Sequence, residues 1–318
     1  MLVSYWPLAF AVARLQALAL LHFSINPACE PATLALRRVL STVATAAAMS
    51  KPRLQLILSP AKSMDFSPCA VADKAGSCEA VGLQRVDELA AVLAKQSKAQ
   101  LKDCLGVSDA IANENYERFQ SWASAEPRQA VVAYSGFAYA KLDARTLTEE
   151  QLRVGQKRLL ILSGMWGPVR PLDHIKPYRL EMACKKLAPP YNKLAVYWRD
   201  LSTETLLEGY GSGGDRVLVN VASDEYAAAI DVARVKAAGV RVVKVDFWQG
   251  GKKAPTVHLK HGRGLVARYI FMNDCDSLDA LKGFDLEGYS YDGEHSSDDV
   301  MVFARESAPP KAKKARTK

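Results

Sequence analysis

Apolar residues follow two different spacings along this chain. Leu54–Leu58 is a short, nearly continuous apolar run that stops at Ser59-Pro60. It fits a buried strand, because proline has no amide with which to extend a ladder. A polar loop with Gly and Pro reaches about residue 78, after which Val86, Leu89, Ala90 and Leu93 recur at helical spacing. Ser108 is placed to cap a second helix running through Phe119 and Trp122. Val131–Tyr134 predicts a strand, and Thr148-Glu-Glu-Gln151 is a capping box that predicts a helix towards Ser163. The β-branched runs Val217–Val221 and Val240–Phe247 predict two more strands, with Ser223-Asp-Glu capping a helix from about Tyr226 between them. Thr256–Leu259 predicts a strand leading into helix Leu265–Met272, and Gly288–Tyr291 and Val300–Ala304 close the folded part. Strands and helices mix without strict βαβ alternation. The expected class is therefore α+β (mixed α/β), one compact domain with a mixed sheet and surrounding helices rather than a doubly wound sheet.

The ends of the chain read differently. Residues 1–48 are rich in Ala and Leu and hold Arg14, Arg37 and Arg38 against Glu30 alone. Such a composition predicts a transit-peptide-like or disordered extension, with a secretory signal centred on Leu15–Phe23 as a weaker alternative. Arg14 interrupts the apolar stretches, so none reaches the roughly 18 residues that suggest a membrane span. Met49 opens MSKPRLQLILSP and would also serve as a start, giving a cytosolic protein; a true transit peptide would send the chain to a plastid or mitochondrion. The expected domain spans 49–308, followed by a disordered lysine-rich tail over 309–318.

Net charge is +8, yet most of the excess sits in the two ends. Within the folded part it is unevenly spread. Residues 153–199 hold ten Lys or Arg against Asp173 and Glu181, and residues 236–268 hold eight against Asp246 alone. Residues 269–308 reverse the balance, with ten acids against Lys282 and Arg305. Local potential is what a polyanion feels, so this pattern suits either a bipolar molecule with one phosphate-attracting face or charges scattered over the surface. The six cysteines are far apart with no CxxC pair, and the five histidines form no HExxH or HxH pair. Neither a disulfide framework, a metal site nor a cofactor is signalled, and His258 and His261 read as ordinary rim residues.

Three stretches could carry chemistry. Ser59-Pro-Ala-Lys62 follows the first strand, where open sheets expose side chains to a ligand crevice. Lys62 would contact a phosphate or pair with Asp65, and Ser59 with Lys62 would suit an enzyme acting on a phosphate-bearing substrate, although the companion elements of Ser-x-x-Lys enzymes are missing. The second stretch, Gly164-Met-Trp-Gly167-Pro-Val-Arg170, reads as a tight turn offering amides in helix-hairpin-helix fashion, with Arg170 and Arg179 adding charge, or else as a helix C-cap and an ordered loop. The third, Lys260-His-Gly262-Arg263-Gly264, reads as a glycine loop before a helix N-terminus, an anion site with Arg268 one turn on, or a solvated basic loop. Gly209-Tyr-Gly211-Ser-Gly213-Gly214 precedes a strand instead of following one, the wrong order for a dinucleotide fingerprint.

Taken together, LILSPAKSMDF (56–66), LILSGMWGPVRPLDHIKPYRLEM (160–182), VLVNVASDEY (217–226), KHGRGLVARYI (260–270) and LKGFDLEGYSYD (281–292) resemble the YaaA peroxide-stress family in content and order. The resemblance covers residues 54–306. It implies a mixed α/β fold, a helix-hairpin-helix-like element, a basic DNA-binding cleft and a role against hydrogen peroxide. Where family members usually carry an acid, this chain has Gly136-Phe-Ala-Tyr139. The expectation is a monomeric, non-enzymatic protein gripping DNA without reading sequence, through Lys62, Gly164, Gly167, Arg170, Arg179, Lys260, Arg263 and Arg268.

Overall fold

Leu54–Leu58 is buried at all five positions because it lies inside a sheet covered on both faces. Leu54, Leu56 and Leu58 enter a large core cluster, Ile57 enters a second, smaller one, and Gln55 satisfies its buried amide by donating to the Leu206 carbonyl at 2.7 Å. The structure is a computed structural model describing residues 52–306 except 212 and 213. The predicted N-terminal extension and the basic tail lie outside the described residues.

In chain order the strands are β1 Leu54–Leu58, β2 Ser63–Met64, β3 Arg128–Gln129, β4 Tyr134–Ser135, β5 Leu159–Ser163, β6 Gly167–Val169, β7 His174–Ile175, β8 Arg216–Asn220, β9 Val240–Gln249, β10 Lys252–Lys253, β11 Ser290–Asp292 and β12 Val300–Arg305. The main sheet runs β11-β12-β9-β8-β1-β5-β6, with β10 folded back on β9. Pairings from β12 through β5 are parallel, while β11, β6 and β10 pair antiparallel, so the sheet is mixed as expected. The chain starts at the centre, moves to β5 on one side, then crosses to β8 on the other and works outwards. Strand order thus reverses at β1, and the crevice beyond the carboxyl ends of β1, β5 and β8 is where such sheets place ligands.

Local signals explain several helices. Thr148 and Gln151 form the expected capping box of helix Glu149–Arg158, and Ser97 with Gln100 forms another on helix Lys98–Leu105. That helix ends at Gly106 in the left-handed conformation, and Ser108 caps the next helix, Asp109–Gln120. Helix Leu83–Ala94 buries Val86, Leu89, Ala90 and Leu93, the stripe read from the sequence.

Four elements differ from expectation. Ser223 makes no side-chain cap, and the helix after it is the single turn Asp224–Ala227. Helix Glu149–Arg158 stops before Ser163, and Leu159–Ser163 is β5, since a short apolar run fits a buried strand as well as a helix. Ala130–Ala133 is one helical turn, with only Tyr134–Ser135 extended. Thr256–Asn273 is a single helix, not a strand, loop and helix. Its glycines serve packing: a Cβ on Gly262 would lie 2.5 Å from the Phe247 ring, and one on Gly264 would lie 1.8 Å from the Ala138 carbonyl oxygen.

Candidate nucleic-acid interface

The loops leaving β1 and β8 are joined at Ser59 and Ser223. Ser59 Oγ accepts from the Ser223 amide at 2.9 Å and lies 3.2 Å from Ser223 Oγ, while the Tyr139 hydroxyl donates to the Ser59 carbonyl at 3.0 Å. With its ends fixed in this way, the loop sends Lys62 outwards. Lys62 Nζ meets Glu181 at 2.9 Å, and Arg179 Nη2 meets the same carboxylate at 2.8 Å. Arg179 and Glu181 are two residues apart in a non-helical stretch, so their side chains face the same way. Burial would raise the Glu181 pKa, but the hydrogen bonds from Lys62 and Arg179 outweigh it and the carboxyl sits below its ordinary range. Asp65, the partner expected for Lys62, pairs with Arg145 instead.

Further along the same edge, Glu225 accepts from the Ala183 amide, and Asp224 meets Lys244 at 2.9 Å. The Lys244 bond holds the Asp224 carboxyl below its usual range, with Arg263 and Lys253 contributing, and Lys253 also pairs with Asp246. Arg263 is half-buried. Burial lowers its pKa against the opposing pull of Asp224 and Asp246, yet guanidinium starts high enough to stay charged. Lys260 lies one helical turn before Arg263 and is exposed. Among the described residues neither has a carboxylate within ion-pair distance. The edge thus carries Lys62, Arg179, Lys244, Lys253, Lys260 and Arg263 against Glu181, Asp224, Glu225 and Asp246, a cationic excess. Among the described residues, none of the ion pairs made by the acidic stretch 269–308 reaches these cations: Asp274, Asp276, Asp279, Glu287, Asp292, Asp298 and Asp299 pair instead with Arg53, Lys141, Arg158, Lys236, Arg241, Lys282, His295 and Arg305.

Four expected site residues do not join this edge. Arg170 follows β6, near the amino end of β5, and spends its guanidinium on the carbonyls of Gln156, Lys157 and Thr205. Arg268 caps the Phe137–Leu142 helix through the Leu142 and Asp143 carbonyls and Thr146 Oγ1. Gly164 and Gly167 lie in a buried β-hairpin between β5 and β6, not in a helix-hairpin-helix turn. The hairpin's amides are taken, since Met165 and Trp166 donate to Ser163 Oγ, and the Gly164 carbonyl accepts from Trp198 Nε1. Ser163 in turn contacts Tyr178, which contacts Tyr134, and burial pushes both phenols up, so this is an uncharged core network. The glycines of the KHGRG stretch likewise sit mid-helix, which removes the helix N-terminus an anion site there would need. Sequence reading missed Lys244 and Lys253. The signal for Lys244 was alternation in β9, where positions 243–248 switch between buried and accessible, whereas Lys253 lies in β10, folded back on β9, and had no such signal.

A helix–turn–helix pair does lie nearby. Helices Lys98–Leu105 and Asp109–Gln120 join at exposed Gly106, and a cavity of about 330 Å³ separates that turn from Glu181 and Lys185.

The described residues thus form a mixed α/β protein built on one eight-stranded sheet. The family model for "Peroxide stress protein YaaA" matches residues 54–295. Among similar proteins, the UPF0246 protein of Paracidovorax citrulli is 37% identical over 257 residues, covering 79% of this chain and 98% of the relative. The UPF0246 protein of Bordetella pertussis is also 37% identical, with 79% and 99% covered. The chain belongs to the YaaA peroxide stress protein family.

Proposed function

We propose that the carboxyl edge of the sheet binds the phosphate backbone of DNA without reading its sequence. The observation that carries this reading is the cationic excess at that edge, where Lys260 and Arg263 have no carboxylate partner and Lys62 and Arg179 share a single one. An incoming phosphate would meet two unpaired cations and displace one shared carboxylate. The Gly106 turn, which lines the same cavity as Glu181, would add a grip on the backbone in helix-hairpin-helix fashion.

Four contacts, from Lys62, Arg179, Lys260 and Arg263, set the log–log dependence of affinity on salt at a slope of about −3.6, taking about −0.9 per phosphate. Fluorescence anisotropy of a labelled duplex across a salt series measures it. Each of Lys260→Ala and Arg263→Ala should weaken binding on every sequence and flatten the slope by about one. Arg268→Ala should leave the slope unchanged. A salt-independent signal, or equal loss from Arg268→Ala, removes the proposal. The rival, an enzyme using Ser59 and Lys62 on a phosphate-bearing substrate, draws little support from the geometry. Among the described residues Ser59 Oγ hydrogen-bonds only to Ser223, while Lys62 is engaged by Glu181.

A further inference from the structure

Two cysteines that the interface does not use meet beside it. Cys104 lies in the last turn of helix Lys98–Leu105, two residues before Gly106, and Cys184 follows Glu181 by three. Eighty positions apart in the chain, their sulfurs lie 3.1 Å apart. Both are free thiols and nearly buried. Disulfide sulfurs are separated by about 2.05 Å, so roughly 1 Å of approach converts this contact into a bond. Neither thiol is sealed off, because both line the 330 Å³ cavity with Gly106, Glu181, Ala183 and Lys185. The environment also divides the pair into two roles. The Cys104 thiol lowers the Cys184 pKa; burial opposes this, and the Lys186 and Leu187 amides assist it. The Cys184 contact and burial raise Cys104; either sulfur can donate to the other, and Cys184 Sγ also donates to the Cys104 carbonyl at 3.1 Å. Cys184 is therefore the more readily ionised sulfur of the pair, on which oxidation begins, and Cys104 the thiol that resolves it. No other sulfur–sulfur contact occurs among the described residues; Cys69 and Cys275 are buried and Cys78 is exposed.

We propose that Cys104 and Cys184 are a peroxide-responsive dithiol whose oxidation to a disulfide ties the Gly106 turn to the segment carrying Glu181. The Cys184 thiolate attacks one oxygen of hydrogen peroxide; the O–O bond breaks, and the departing hydroxide takes up a proton to become water, leaving a sulfenic acid. The Cys104 sulfur then attacks the Cys184 sulfur; the S–O bond breaks, and the leaving oxygen departs as water with the Cys104 proton. In sum, two thiols and one hydrogen peroxide give one disulfide and two waters. The oxidant is the one against which the family is named, and the proposal does not depend on DNA binding.

The test is thiol mapping of the full chain. Protein is treated with one equivalent of hydrogen peroxide, free thiols are alkylated, and the digest is read by mass spectrometry. The expected product is a Cys104–Cys184 cross-linked peptide that dithiothreitol reverses, with Cys78 recovered alkylated. In Cys104→Ser protein, Cys184 should instead be trapped as a sulfenic acid by dimedone. Recovery of both residues as alkylated thiols from oxidised wild-type protein overturns the proposal, as does cross-linking that runs through Cys78. Both readouts on the unmutated chain stand even if a variant fails to fold.

Discussion

Arg158→Met lowers the melting temperature by about 6–12 °C, from a loss of about 3 kcal/mol at roughly 2–4 °C per kcal/mol for a domain of this size. Arg158 closes helix Glu149–Arg158, where a cation also meets the negative end of the helix dipole. Its guanidinium is nearly buried and contacts Asp276 at 2.7 Å, Asp274 at 2.6 Å and the Leu54 carbonyl at 3.3 Å. One side chain thus joins a helix end, the start of β1 and the Asp274–Asp276 turn. Methionine fills the volume but removes the Arg158 bonds to the buried Leu54 carbonyl and to Asp276, leaving that half-buried carboxylate to Arg53 and the Leu54 amide, which is the costly way to break such a group. The loss stays at about 3 kcal/mol, the lower bound for breaking a buried pair, because Asp274 stays largely solvated. Acid separates this from a packing effect. Burial alone would raise the Asp276 pKa, but the bonds from Arg158 and Arg53 outweigh it and the group sits below its ordinary value. A depressed carboxyl contributes stability that is present above its unfolded pKa, about 3.9, and lost as pH falls through the folded one. Wild-type and Arg158→Met melting temperatures should therefore converge below about pH 4. Circular dichroism melts at several pH values measure it, and a pH-independent difference assigns the loss to packing alone.

Which parts of the fold were legible in the sequence follows from how local each signal is. Capping boxes act over three residues, and Thr148 with Gln151 formed as read. Strand β1 was legible because burial on both faces leaves an unbroken apolar run, whereas LLILS at β5 carried the same signal next to a helix and was absorbed into it. The site was only half legible, because residue type does not say which end of a strand a loop serves. Lys62 follows β1 at its carboxyl end, while Arg170 follows the antiparallel β6 and so falls at the opposite end of the sheet. Both follow a strand and sit near a proline, Pro60 or Pro171, and look alike in sequence. The Cys104–Cys184 contact had no local signal at all, since it depends on two segments 80 residues apart meeting in the fold.

Gly264→Ala should leave the protein largely unfolded at 37 °C, or cost more than about 3 kcal/mol if folded molecules persist. Intrinsic preference points the other way, because alanine in a helix interior is favoured over glycine by about 1 kcal/mol. The neighbour decides the sign. The new Cβ would lie 1.8 Å from the Ala138 carbonyl oxygen and 2.7 Å from its carbon, and both are backbone atoms that no rotamer can move. Relief requires the Thr256–Asn273 and Phe137–Leu142 helices to part, uncovering Leu265, Val266 and Ala267, which are buried against the main core. Gly262→Ala provides the contrast within one turn of the same helix. Its Cβ would meet the Phe247 ring at 2.5 Å, and a ring edge can tilt, so the loss should be about 1–3 kcal/mol. Chemical denaturation of the two variants tests the ordering, and a Gly264→Ala protein as stable as wild type would show that the helices do not pack backbone to backbone. The same ordering explains why the KHGRG sequence resembles an anion loop. Its glycines face inward and allow the close approach, which leaves Lys260 and Arg263 on the outer side at the cationic edge.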